Sequence, residues 1–586
     1  MKHYQKLRRA VVWLIVAVPL VLKAEVSSPS GKINVGFEDG RGITVDYSAH
    51  GNRQRVLTLC LDVEGTPAIG AQAEVRYDML TGKRRECSNS FIPLEWNLTD
   101  GSLLLMRLYN DGVAWKINGK SKIDVAGATH RWLQRWTDCY EEFFPRDRAV
   151  TAGERWAYPA LFEYPGDVFA LLTESGIDGD CAASSLYTDS VAKRFVIDSD
   201  GNGEHGWQTL IVGALSDVVE STLGTDNSAP CRLDDISWIA PGVASWVYWA
   251  YNHGSNDYDI IRKYIDFAAE LSLPYTLIDA EWDEMKDSKT VEDAIAYARS
   301  KGVKPMIWYN SSVGWIDSAP GPKFRLNNPA DREKEFAWCE RMGVAGVKID
   351  FFSGDTNRNL KYMAELLEAA ASHRLLVNFH GATLPRGWQR TYPNLITTEA
   401  VYGAEWYNNV PTFTDKAASH NATLPFTRNV VGSMDYTPCA FSDSQHPHIT
   451  TKGHELALTV LFESGIQHIA DRPESILAQP AEVGDFLSAL PTAWDDTALL
   501  GGYPGEYAVM ARRKGDAWYI SGINGSDVSR KISLDLSRLR LHGAPESVKI
   551  YTDDTEMPDG WKIASLDSVP ESISLEPRGG FVLVIR

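Results

Sequence analysis

From about Ser28 to Leu215 the chain shows short runs in which apolar and polar residues alternate or apolar residues cluster, as in Lys32 to Phe37, Ile43 to Tyr47, Leu103 to Tyr109, Val168 to Thr173 and Leu210 to Val212. A period of two buries one face of an extended strand. Turn formers such as Glu38-Asp39-Gly40 and Asn110-Asp111-Gly112 separate the runs, so the chain reverses between them. Repeated strands with this punctuation predict a large β-sandwich over residues 25–235.

After Pro241-Gly242 strand-like runs alternate with helix-period segments. The runs are Trp246 to Tyr251, Tyr275 to Trp282, Lys304 to Asn310, Gly346 to Phe351, Leu375 to Gly381, Leu395 to Val401, Phe426 to Met434 and Gln467 to Asp471. Between the first two, Ile260, Ile261, Tyr264, Ile265, Ala268 and Leu271 form one apolar stripe. Gly302, Gly343 and Gly465 stand where later helices should end. Eight such strands predict a closed parallel (β/α)8 TIM barrel over residues 236–490. A doubly wound sheet is the rival, but no GxGxxG opens the first strand-helix unit. Alternation returns in residues 491–586, which predict a terminal β-sandwich-like domain. The fold class is therefore multidomain, α/β plus all-β.

A length of 586 residues agrees with several cores, since a single core stops growing at roughly 250–300 residues. Lys2, Lys6, Arg8 and Arg9 precede an apolar run from Ala10 to Leu22. That layout predicts a signal peptide over residues 1–24 and an exported protein, periplasmic or secreted. The run is shorter than the ~18 residues of a spanning helix, and no membrane span is expected after signal removal. A net charge of −19 without a long basic run argues against a nucleic-acid partner. Seven scattered cysteines with no CxxC pair give no zinc or redox pattern.

Catalytic groups of such a barrel gather at the C-terminal ends of its strands. That places Asp279, Glu281, Asn310, Asp350, His380, Glu399, Asp435 and Asp471 around one mouth. In Gly346-Val347-Lys348-Ile349-Asp350, alternation puts Lys348 and Asp350 on the same face. They are either a structural ion pair or a cation that keeps a nucleophilic carboxylate ionised and binds substrate hydroxyls. Glu399 and Glu405, after the sixth run, are both candidates for the protonated partner that glycoside cleavage needs. Trp249, Trp282, Trp308, Trp315, Trp388 and Trp406 lie on or beside the strand ends, and indoles stack on pyranose C–H faces.

At these motifs the chain resembles glycoside hydrolase family 97. The matching stretches are Tyr109-Asn110-Asp111-Gly112-Val113-Ala114, Ser245-Trp246, Tyr264-Ile265-Asp266-Phe267-Ala268, Val347-Lys348-Ile349-Asp350-Phe351-Phe352, Asn378-Phe379-His380-Gly381-Ala382, Pro425-Phe426-Thr427-Arg428-Asn429 and Gly432-Ser433-Met434-Asp435-Tyr436-Thr437-Pro438. The resemblance implies an N-terminal β-super-sandwich, a catalytic barrel, a C-terminal β-domain and an active-site calcium. It also implies one of two branches, inverting α-glucosidases or retaining α-galactosidase-like enzymes. In the inverting branch a Glu follows the His of strand five and strand four lacks the Asp; here Gly381 follows His380 and Asp350 is present, as in the retaining branch.

The resemblance thus implies Asp350 as nucleophile, Glu405 as acid/base, and Glu399, Glu405 and Glu141 as metal ligands, with adjacent Glu142 the alternative to Glu141. Lys348, His380 and Arg428 are expected to contact substrate. A retaining pair of carboxyls sits about 5–5.5 Å apart, and the missing side chain at 381 leaves room for that approach. The expected activity is an exo-acting retaining α-galactosidase on an oligosaccharide or glycoside. A β-L-arabinopyranosidase, an inverting α-glucosidase and a non-catalytic carbohydrate-binding protein are the alternatives.

Overall fold

The computed structural model describes residues 25–49, 51–190, 193–200, 205–248, 254–286, 288–541 and 545–586. The signal-like segment 1–24 and Trp249 lie outside them. Within the described residues, antiparallel strands from Val26–Ser27 to Trp207–Gly213 form one 16-stranded sheet doubled into the N-terminal sandwich. Its interior is aromatic: Trp96, Trp115, Trp132 and Trp156 are fully buried.

The central sheet is parallel and has seven strands among the described residues: β1 (Gly242–Trp246), β2 (Tyr275–Ile278), β3 (Lys304–Asn310), β4 (Gly346–Asp350), β5 (Leu376–Phe379), β6 (Leu395–Thr398) and β7 (Ile466–Ile469). They neighbour in the order β6-β5-β4-β3-β2-β1-β7. Most end earlier than the apolar runs suggested. Asp279, His380 and Glu399 each stand one residue beyond a strand end, so the polar groups begin where the ladder stops.

The expected strand from Phe426 to Met434 is not one. Pro425 offers no N–H to a ladder, and the segment forms two 3₁₀ turns, Leu424–Phe426 and Arg428–Val431. A side chain ties this segment to the end of β6 instead. The buried Arg428 guanidinium donates to the carbonyls of Thr398, Glu399 and Ala400 at 3.0 Å and to those of Gly432 and Ser433 at 2.9 Å. Each such carbonyl left unpaired would cost about 1–3 kcal/mol. Arg428 therefore fastens the 3₁₀ segment to the end of β6 and does not line the active-site cleft, in contrast to the expected substrate contact.

Helices α1 (Tyr258–Glu270), α2 (Val291–Ser300), α3 (Pro329–Met342), α4 (Asn357–Ser372) and α5 (Lys452–Leu461) surround the sheet. Asp257 caps α1 through the amides of Asp259 and Ile260, and Gly343 ends α3 at φ +80°. Gly465 is no cap; a Cβ there would meet the Ile396 carbonyl oxygen at 2.4 Å. Helix α5 is buried on all sides, because the barrel covers one face and the C-terminal domain the other. That domain is a six-stranded antiparallel sheet from Asp496–Tyr503 to Gly580–Ile585, with a two-stranded ribbon beside it. All seven cysteines are unpaired. Among the described residues no helix is long and apolar enough to cross a membrane.

His373, at the end of α4, bonds Glu340 at 2.9 Å and Glu333 at 3.1 Å, both on α3. Burial lowers its pKa, but the two carboxylates outweigh burial and the net shift is upward. The pairing thus stabilises the fold below the ordinary histidine value of about 6.5 and is lost as pH rises through the folded value. His373→Gln is expected to lower the Tm at pH 5.5 by about 1 °C, since the two carboxylates are solvent-screened, and to leave it unchanged at pH 9. Differential scanning fluorimetry at both pH values checks the sign.

Candidate active site

The C-terminal ends of β1 to β6 and one segment of the N-terminal sandwich enclose a cleft of about 540 Å³. Trp308, Lys348, Asp350, Gly381, Glu399 and Glu405 line it from the barrel, and Asp138, Cys139 and Glu141 from the sandwich. Strand alternation brings Lys348 and Asp350 to the same side, and the parallel register sets Trp308 beside Lys348.

The Lys348 ammonium is the electrostatic hub. It donates to Asp279 at 3.1 Å and lies 3.7 Å from Glu405 and 4.0 Å from Asp350, over the Trp246 ring at 5.2 Å. Burial alone would discharge it, but Asp279, Glu405 and Asp350 hold its pKa well above the usual lysine value. Asp279 also accepts from the Trp246 indole at 2.8 Å. Burial pushes Asp279 up, yet Lys348 and these donors leave it below the usual carboxylate range.

Asp350 accepts from its neighbour Phe351 N–H at 2.7 Å and from the Trp308 indole at 3.1 Å. Burial raises its pKa, and although Lys348 and His380 oppose the rise, the net shift is upward. Glu405 sits on a 3₁₀ turn, Ala404–Tyr407. Burial raises it to about 8, again against Lys348. Burial thus favours the protonated form of Glu405, whereas Asp350 has two N–H donors directed at its carboxylate.

His380 does not line the cleft. Its Nε2 bonds Asp435 at 2.7 Å, and its Nδ1 lies 3.3 Å from Glu399 and 3.5 Å from Glu405. Asp435 also accepts from His468 at 2.9 Å and Asn378 at 2.7 Å. Burial pushes Asp435 upward, but the two histidines take it far below the carboxylate range. This chain behind the wall orients the imidazole toward the glutamates.

Glu141, Glu399 and Glu405 form the acidic corner. Glu399 accepts from Gly381 N–H at 2.7 Å. Glu141 accepts from the Trp406 indole and the Cys139 thiol at 3.0 Å each; burial and Glu399 raise its pKa well above normal. The buried Glu405 Oε1 accepts no hydrogen bond. One ligand atom each of His380, Glu399 and Glu405 falls within 4.8 Å of the others. A cluster of buried carboxylates, one of whose oxygens accepts no hydrogen bond, fits a hard divalent cation.

The remaining candidates disperse. Glu142 accepts from Phe143 N–H at 2.8 Å and is not in the cleft wall, so of the two adjacent glutamates Glu141 reaches the site. Asn310 holds the carbonyls of Trp315 and Pro320, and Asp471 ties the amides of Phe441, Ser442 and Arg472. Glu281 accepts from Asn256. Trp388 bonds Ile177 O inside the domain junction, while Trp315 is half exposed at the rim. Asp138 and Cys139 escaped sequence reasoning because they sit in an irregular segment without periodicity. Their proximity to Glu141 was the only signal.

Three family descriptions match the chain in consecutive order: Glycosyl-hydrolase 97 N-terminal over residues 26–230, Glycoside hydrolase 97 over 240–401, and Glycosyl-hydrolase 97 C-terminal, oligomerisation, over 493–586. The chain belongs to glycoside hydrolase family 97. Among its relatives, a probable retaining α-galactosidase of Streptomyces bingchenggensis is 38% identical over 450 residues, covering 72% of this chain and 67% of the relative. The retaining α-galactosidase of Bacteroides thetaiotaomicron is 29% identical over 65% of this chain, and the match spans 59% of that relative. The structure is similar to that of a β-arabinopyranosidase, with a TM-score of 0.85 and 27% identity over 96% of this chain and 100% of the other. It shares its fold with a family 97 enzyme from Pseudoalteromonas sp. strain K8 solved with acarbose, with a TM-score of 0.81 and 21% identity over 96% and 100% of the two chains.

In this family 97 enzyme the backbone near the site is bent in several places. Tyr140, Phe351 and Ala400, each next to a site carboxylate, have φ of +65°, +65° and +39°. Such conformations cost about 1–3 kcal/mol each and persist where surrounding structure imposes them. Gly381 has φ +48°, and a Cβ there would lie 2.9 Å from Asp350 Oδ1 and 2.8 Å from Phe351 N. Any side chain at 381 would displace the Asp350 carboxylate. Gly381→Ala is expected to fold with a near-native circular dichroism spectrum and to lose glycosidase activity by on the order of 10²-fold, the penalty of an ångström-scale misplacement. Activity within twofold of wild type would show that Asp350 tolerates the shift.

Proposed function

We propose that this family 97 enzyme is a retaining α-galactosidase with Asp350 as nucleophile and Glu405 as acid/base. The observation that carries the reading is the contact at position 381: the space an added base would need is filled by Asp350 itself. The relatives named retaining α-galactosidases support the same assignment.

In the first step Asp350 attacks the anomeric carbon, the glycosidic C–O bond breaks, and Glu405 gives its proton to the leaving oxygen. Glu405 is then a carboxylate 3.7 Å from the Lys348 cation, which stabilises the new charge. In the second step Glu405 takes a proton from water, the water oxygen bonds to the anomeric carbon, and Asp350 departs. Two inversions give net retention. Lys348 reaches substrate hydroxyls from the cleft wall, and His380 acts from behind through Glu399 and Glu405.

Glu141 and Glu399, with Glu405 at the edge of the cluster, would hold calcium, which supplies positive charge to this corner when bound. Export through the basic and apolar N-terminal residues belongs to the same reading. A β-L-arabinopyranoside is the second substrate, because its ring matches galactose without the hydroxymethyl group and a β-arabinopyranosidase is the similar structure.

Proton NMR of p-nitrophenyl α-galactoside hydrolysis should show α-galactose first. The β-anomer appearing first would overturn retention. Asp350→Gly should lose at least ~10³-fold in kcat and, with added azide, form a β-galactosyl azide; near-normal turnover without azide would remove Asp350 from the nucleophile role. Exhaustive chelation should abolish most activity, with recovery on adding Ca2+. Full activity in protein shown metal-free by elemental analysis would end the calcium assignment.

A further inference from the structure

Glu141 belongs to a different domain from Asp350, Glu399 and Glu405, so its position depends on how the sandwich is held against the barrel. The junction beside it is not apolar. Tyr140, directly before Glu141, donates its hydroxyl to Asp355 at 2.5 Å and accepts from the Arg386 guanidinium at 2.6 Å. Arg386 also donates to Glu174 of the sandwich at 3.1 Å. Glu174, Asp355, Arg386 and Tyr140 are all essentially fully buried.

The two barrel members are not placed at random. Asp355 lies five residues after Asp350, in the loop that leaves β4, and Arg386 five residues after Gly381, in the loop that leaves β5. Backbone bonds run along the same seam: Gly354 N–H to Asp138 O at 3.2 Å, Ala183 N–H to Asp355 O at 3.0 Å, and Gly176 N–H to Arg386 O at 3.1 Å. On the sandwich side Gln134 donates to the carbonyls of Tyr140 and Glu142, at 2.7 and 2.8 Å, gripping both flanks of Glu141. Tyr140 itself is held at φ +65°.

An apolar junction could join two domains with some freedom to slide. Buried ions tolerate no such freedom, because each must keep its partner or lose its solvation uncompensated. Such a junction specifies one register more than it adds stability.

We propose that Tyr140, Asp355 and Arg386 form an interdomain clamp of positioning residues, which sets Glu141 against Glu399 and ties that placement to the loops carrying Asp350 and Gly381. None of the three lines the cleft. The clamp rests on the reading of Glu141 as a calcium ligand, and acts by preorganising that ligand.

The test is calcium affinity. Chelator-stripped wild type, Tyr140→Phe and Asp355→Asn are titrated with Ca2+ by calorimetry, and Tm is measured for each. Tyr164→Phe is the comparison, since it removes another buried hydroxyl of the sandwich, the one donating to Val56 O. Both clamp variants should bind Ca2+ about tenfold more weakly or worse, as loss of an outer partner of a metal ligand does. Tyr164→Phe should keep the wild-type Kd whatever its Tm. Wild-type Kd in the clamp variants, with only the Tm lowered, overturns the proposal and leaves the junction a structural one. If one clamp variant fails to fold, the other decides. A wild type that takes up no Ca2+ removes the reading of Glu141, and the clamp's proposed purpose with it; that outcome is distinct from wild-type binding unaffected by the clamp.

Discussion

The Lys348 ammonium lies 3.1 Å from Asp279, 3.7 Å from Glu405 and 4.0 Å from Asp350, removed from solvent at the end of β4. A buried cation is tolerable only with anionic partners, and buried carboxylates need such a cation in turn. Asp279 supplies the permanent counter-charge. Glu405 and Asp350 can then differ in protonation, because one cation near both cannot neutralise both. This difference allows one carboxylate to attack while the other carries a proton.

The acidic corner applies the same constraint with the opposite sign. Glu141 and Glu405 are pushed upward by burial and by neighbouring Glu399, and Lys348 and His380 offset this only at Glu405. The site is therefore incomplete as a set of protein charges alone. A divalent cation fits that deficit, and a sandwich residue meets it only if the two domains are held in register.

Much of the fold was legible because it rests on local periodicity. Alternating residues separated sandwich from barrel, and the helical stripe between the first two runs became α1. The strand ends were informative for a related reason: polar residues there leave the barrel interior for its rim, which brought Asp279, Asp350 and Glu399 to one cleft while Asn310 and Asp471 hold loop backbone. The failure at Phe426 to Met434 has the opposite cause. A buried apolar run reads alike whether it joins a ladder or fills a gap. Arg428 shares that cause, since its guanidinium donates to carbonyls at the end of β6, where no regular strand runs alongside.

By itself the sequence determined the three-part order of strands and helices, the presence of Asp350 beside Lys348, and the absence of a side chain at 381. Those properties reside in single residues or in neighbours along the chain. Only the tertiary structure decided that Glu141 and not Glu142 enters the cleft, that His380 stands behind the wall, and that Tyr140 meets Asp355 and Arg386 across 215 and 246 residues of sequence. Side-chain contacts at such separations leave no periodic trace, because they are fixed by how two finished domains dock.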